Sequence, residues 1–135
     1  MSQVDSRYTL SARTELPFAE AVSRTREELA REGFGVLCEI DVRATLEQKL
    51  GVQREPYLIL GACNPTLAHR ALEAEPELGV LLPCNVIVYV EEGKTHIAAV
   101  DAERMLSIVA NQELASTAGE VRRRLAEVVE RVANN

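Results

Sequence analysis

Tyr57-Leu58-Ile59-Leu60-Gly61-Ala62-Cys63-Asn64-Pro65 is an apolar run that stops at a cysteine and then at a helix-start signal. A short, bounded apolar run suits a buried strand. Asn64 can accept from the orphan N–H groups of a helix, and Pro65 is preset for the first helical position. A strand therefore hands over to a helix at Cys63. A second abrupt junction, Leu81-Leu82-Pro83-Cys84-Asn85-Val86, places another Cys-Asn pair at the mouth of another apolar run. That run, Val86-Ile87-Val88-Tyr89-Val90, is apolar at consecutive positions, which predicts a strand covered on both faces.

Upstream, residues from Arg7 to Arg13 alternate polar and apolar, predicting a half-buried first strand with Tyr8, Leu10 and Ala12 on one side. Pro17 opens a helix whose Phe18, Val22, Thr25 and Leu29 recur at helical spacing until Gly33 stops it. Phe34 to Val42 then reads as a strand with Phe34, Val36, Cys38 and Ile40 on one face and Gly35, Leu37, Glu39 and Asp41 on the other. That parity puts Cys38 with the core residues. Thr45 to Leu50 predicts a short helix capped by Thr45 and closed by Gly51.

Downstream, the Asn64-capped helix runs to about Ala74 and ends at Pro76. Glu91-Glu92-Gly93-Lys94 reads as a tight hairpin into Thr95 to Val100, and Asp101 caps a short helix containing Met105, Ile108 and Val109. A final helix, about Glu113 to Ala133, repeats Leu114, Ala118, Val121, Leu125, Val128 and Val132 along one stripe. Its charged face, with Arg122-Arg123-Arg124, reads as a solvated surface. This order of elements predicts an α+β fold with a mostly antiparallel sheet, in one domain spanning residues 1–135.

Composition narrows the function classes. The 135 residues suffice for one real core. A formal charge of −6 opposes capture of phosphate backbones, so nucleic acid is not an expected partner. No apolar stretch reaches the roughly 18 to 20 residues of a membrane span, and the first seven residues lack a signal-peptide core, so a cytoplasmic protein is expected. Cys38, Cys63 and Cys84 are an odd number without a Cys-x-x-Cys pair, which indicates free thiols. There is no Gly-rich phosphate loop, no Gly-x-Ser-x-Gly elbow and no His-Glu-x-x-His element, so no cofactor is expected.

Cys63 stands just outside a helix N-terminus, where free N–H groups and the helix dipole favour an anion. An exposed thiol there could fall below its ordinary pKa of about 8.5 and act as a nucleophile or soft-metal ligand. A buried one simply completes the core. Cys84 leans structural because its face partners Val86 and Val88 are apolar. If the two junctions are neighbours in space, Cys63, Asn64, Cys84 and Asn85 share a pocket. His69 is a weak third ligand for a metal on Cys63 and Cys84, lacking any recognised spacing. Glu39 and Asp41 share one strand face about 7 Å apart and, as candidate ligand-binding residues, could bind a cation or act as an acid/base pair, with surface polarity as the plain alternative.

The blocks Gly33-Phe34-Gly35-Val36, Glu39-Ile40-Asp41-Val42, Gly61-Ala62-Cys63-Asn64-Pro65 and Leu81-Leu82-Pro83-Cys84-Asn85-Val86 occur in one order. In this the chain resembles, from about Phe18 to Met105, the bacterial and archaeal family known as domain of unknown function 302. The resemblance implies a curved, mostly antiparallel sheet with helices packed on it, like the β-α-β4-α architecture of TATA-binding proteins. It implies no DNA binding. It marks Glu39, Asp41, Cys63, Asn64, Pro65, Pro83 and Cys84 as motif positions, and departs at Ala102, where a proline is usual. Three readings follow. The first is a homodimeric module binding a small ligand or anion at the Cys63-Asn64-Pro65 and Pro83-Cys84-Asn85 turns, with the doubly apolar strand motivating the dimer. The second is thiol-based sulfur transfer or redox chemistry on Cys63 and Cys84, and the third is soft-metal binding.

Overall fold

The computed structural model describes the backbone of Val4–Asp5 and residues 8–134. The elements in chain order are β1 (Val4–Asp5), β2 (Thr9–Thr14), α1 (Phe18–Arg31), β3 (Gly35–Asp41), α2 (Val42–Leu50), β4 (Tyr57–Cys63), α3 (Pro65–Ala74), β5 (Cys84–Glu91), β6 (Lys94–Val100), α4 (Ala102–Ser107) and α5 (Ala115–Ala133). Short 3-10 turns, Pro76–Leu81 and Gln112–Leu114, lead into β5 and α5. All the strands form one antiparallel sheet in the order β1-β2-β6-β5-β4-β3. Leaving aside the short β1 and the inserted helices, β2-α1-β3-β4-β5-β6-α5 is the expected β-α-β4-α arrangement of an α+β fold.

One sheet face carries the core. Ala12, Leu58, Leu60, Val86, Ile97 and Ala99 meet Leu29 of α1 and the α5 stripe of Val121, Leu125, Val128 and Val132. Burying such side chains is worth about 1.5–3 kcal/mol each, which makes the α5 stripe the main clamp on the sheet. Most local signals act as read: Asn64 Oδ1 accepts from Leu67 N–H at 3.1 Å, Gly51 closes α2 at φ 68°, and Glu92 and Gly93 turn the β5–β6 hairpin with positive φ. The Leu82–Pro83 peptide is cis.

Several expectations need correction. The alternation predicts Tyr8 on the buried side, but β2 begins at Thr9 and Tyr8 is 70% exposed; Arg7 lies outside the described residues. α2 starts three residues early because Asp41, not Thr45, is the cap, accepting from Ala44 N–H at 2.9 Å. α4 ends at Ser107, before Ile108 and Val109. Cys38 is exposed because the β3–β4 register shifts between Val36 and Cys38. The bulge gives β3 one extra residue, so every side chain beyond it changes face.

The second face of β5 is not covered by any helix of the core cluster among the described residues. It carries a row in register, Ile40, Ile59, Ile87 and Ala98, beside a row of Tyr57, Tyr89 and His96. Those rings stack, with centroids 5.2 Å apart for the tyrosines and 4.9 Å for Tyr89 and His96, and the Arg54 guanidinium lies 5.0 Å from the Tyr57 centroid. The arginines of α5 are not merely solvated. Arg122 binds the buried Asp101 at 3.1 Å, and Arg124 donates to Glu32 O at 2.8 Å.

Candidate functional site

The two cysteine junctions come together because β4 and β5 are neighbours, with Ala62 opposite Cys84. One register step then puts Cys63 beside Cys84 at the end of the sheet. There, α3 leaves β4, the cis Leu82–Pro83 peptide enters β5, and α4 and the start of α5 close the far side. Between them lies a cavity of about 340 Å³ whose wall includes Cys63, Asn64, Leu67, Pro83, Cys84 and Thr117. The remainder of the wall is almost wholly apolar, with Phe34, Ala71, Leu78 and Val121 among its residues.

The volume sits within the roughly 300–1,000 Å³ typical of small-molecule sites, and such sites are mainly apolar with a few polar groups that orient the ligand. No charged side chain lines this one. An ion seated in it would give up part of its hydration with no opposite charge in the wall to replace it. The helix-start donors offer less to an anion than the sequence suggests, because Asn64 itself occupies the Leu67 N–H.

The two thiols differ. Cys63 is half-buried and Cys84 buried, and neither is in a disulfide. Burial, and then the neighbouring Cys63, push the Cys84 thiol from 9.0 up to about 11. Cys84 is therefore a neutral thiol at ordinary pH, a poor attacking group and a small apolar filler of the wall.

The other sequence candidates lie elsewhere. Glu39 pairs with Arg26 of α1, and Asp41 caps α2, so both carboxylates have structural work outside the cavity wall. Asn85 is exposed, sharing the register row of Cys38 and Gly61 and not the cavity. His69 is 75% exposed beside Glu73 and does not reach the thiols; no cluster of three metal-ligating side chains occurs among the described residues. Sequence reasoning missed Thr117, whose place in the α5 stripe by spacing gave no sign of a cavity, and it missed the Tyr57–Tyr89–His96 stack, which exists only through strand register.

A crystallised uncharacterised conserved protein DUF302 from Bacillus stearothermophilus is similar to this chain, with 30% identity and a TM-score of 0.88 over 94% of this chain and 99% of that one. None of the curated proteins compared matches it. The family model described as "Domain of unknown function DUF302" matches residues 10–132, nearly the whole core from β2 to the end of α5. The chain belongs to the DUF302 family.

Proposed function

We propose that the chain is a homodimeric binding module that takes a small, uncharged, largely apolar molecule in the cavity between the Cys63 and Pro83-Cys84 junctions. The observation that carries this reading is the cavity itself, about 340 Å³ of apolar wall without a charged side chain. The anion of the sequence reading is set aside because that wall offers no compensating charge. An apolar cavity does not hold water well and gains from an apolar guest. The test is titration with 1-octanol and with octanoate, followed by NMR shifts of cavity residues. Octanol should perturb Leu67, Ala71 and Val121 with saturation, and octanoate should act much more weakly. Ala71→Leu, which fills the space, should abolish the octanol response. No saturable response to octanol, or a stronger one to octanoate, would defeat the reading.

The dimer rests on the uncovered sheet face, where Ile40 is 47% exposed at the end of the isoleucine row. A second copy covering that face buries the row and the aromatic stack. Sedimentation at micromolar concentration should give a dimer.

Thiol chemistry is the second reading, supported by both cysteines on one cavity wall. In it, Cys63 is the reacting thiol and Cys84 serves only as a late partner, because its thiol is held protonated.

A further inference from the structure

Helical threonines often return their hydroxyl to the carbonyl one turn back. Thr25, fully buried in α1, does so: its Oγ1 donates to Ala21 O at 2.7 Å. Thr117, 6% exposed in the first turn of α5, does not. Its hydroxyl has no hydrogen-bond partner among the described residues, and the residue forms part of the cavity wall. Glu113, four positions earlier, belongs to the 3-10 turn Gln112–Leu114 and not to α5. Among the described residues no buried side-chain oxygen lacks a partner, so this hydroxyl is reached by solvent, and a guest that covers it without a matching group costs about 1–3 kcal/mol.

The other polar side chains of the wall offer less. Asn64 Oδ1 accepts from Leu67 N–H, which leaves its Nδ2 as a donor only, and the two thiols are poor hydrogen-bonding groups. Thr117 is therefore the one side chain of the wall with a strong donor and a strong acceptor both uncommitted.

We propose that Thr117 is the ligand-anchoring residue of this cavity, and that its ligand class is a small aliphatic or cyclic molecule bearing one uncharged oxygen function, such as an alcohol, ketone or amide. This rests on the reading of the cavity as a binding site and adds the group that selects among apolar guests. A hydroxyl that must be satisfied discriminates strongly against guests that cannot satisfy it. The apolar wall supplies binding energy to every guest of suitable size, while Thr117 supplies orientation and the preference for an oxygen.

The experiment compares wild type, Thr117→Val and Thr117→Ser with two probes, 1-octanol and toluene, by titration calorimetry or NMR. Valine keeps the shape and removes the hydroxyl; serine keeps the hydroxyl. Thr117→Val should weaken octanol about tenfold, the loss of one good hydrogen bond, and leave toluene unchanged or slightly tighter. Thr117→Ser should retain octanol binding. Unchanged octanol affinity in Thr117→Val, or equal loss of both probes, would overturn the anchor while the binding site stands. Failure of wild type to bind either probe would overturn both. Thermal melts of the variants, expected to remain cooperative, separate loss of binding from loss of fold.

Discussion

Cys38 Sγ sits directly over Gly61, its partner across β3 and β4: a Cβ built on Gly61 would stand 2.6 Å from that sulfur. The same Cβ would stand 2.8 Å from Pro83 Cγ. The bulge that turns Cys38 out of the core and the proline that leads into β5 thus converge on a residue with no side chain. Gly61 lies in the apolar run that organises the fold, and the reason for a glycine there is contact from β3 and from the proline just before β5.

Gly61→Ala is expected to destabilise the chain by about 1–3 kcal/mol, the usual cost of overpacking. Adding Cys38→Ala should recover only part of the loss, because the sulfur can rotate away whereas the Pro83 ring cannot. Urea unfolding of the two single variants and the double variant measures this. Full recovery in the double variant would show that Pro83 yields.

Alkylation should follow exposure and not the parity of the sequence. Cys38, exposed, and Cys63, half-buried, should react with iodoacetamide at pH 8 well before Cys84, whose thiol is held up at about 11. Peptide mass spectrometry over time reads the order. Early labelling of Cys84 would mean that the cavity opens readily.

The same shift predicts a pH dependence of stability. The folded state binds the Cys84 proton more tightly than the unfolded chain, whose thiol titrates near 9.0. Its contribution is therefore complete below pH 9 and is lost as pH rises from 9 to about 11, to an extent of about 3 kcal/mol. Cys84→Ala should be less stable than wild type at pH 8 and lose less stability over that interval. Parallel stability curves for the two proteins would contradict the assignment.

Glu28, fully buried on α1, receives Arg24, Arg31 and Arg131 at 3.2–3.4 Å, and the last of these ties α1 to α5. Glu28→Gln keeps the volume and removes the charge, and should cost about 1.5–3 kcal/mol, the range for hydrogen bonds to charged groups. The arginines are partly exposed and can turn to water, so a collapse of the fold is not expected. Denaturant midpoints test the value.

Ile87→Glu is expected to break the proposed dimer without unfolding the monomer, since Ile87 is half-buried on the sheet face that no core helix covers. Sedimentation should shift from dimer to monomer while the circular dichroism spectrum stays unchanged. A dimer that survives this substitution uses another surface.

Local chemistry made much of the fold legible. Asn64-Pro65, Gly33, Gly51 and Glu92-Gly93 act through their own backbones, and the α5 stripe follows from helical spacing, so these elements stand close to where the residues place them. Resemblance in four short blocks was enough to identify the family. What needed tertiary structure was whatever depends on register or on non-local partners. A single bulge beyond Val36 moved Cys38 and Ile40 off the core face, because strand parity carries no memory of an inserted residue. Glu39 and Asp41 are adjacent on one face, yet Arg26 and the start of α2 claim them separately. The cavity belongs to no segment: it is the space left where β4, β5, α3, α4 and α5 meet, and Thr117 enters its wall only because those elements come together there.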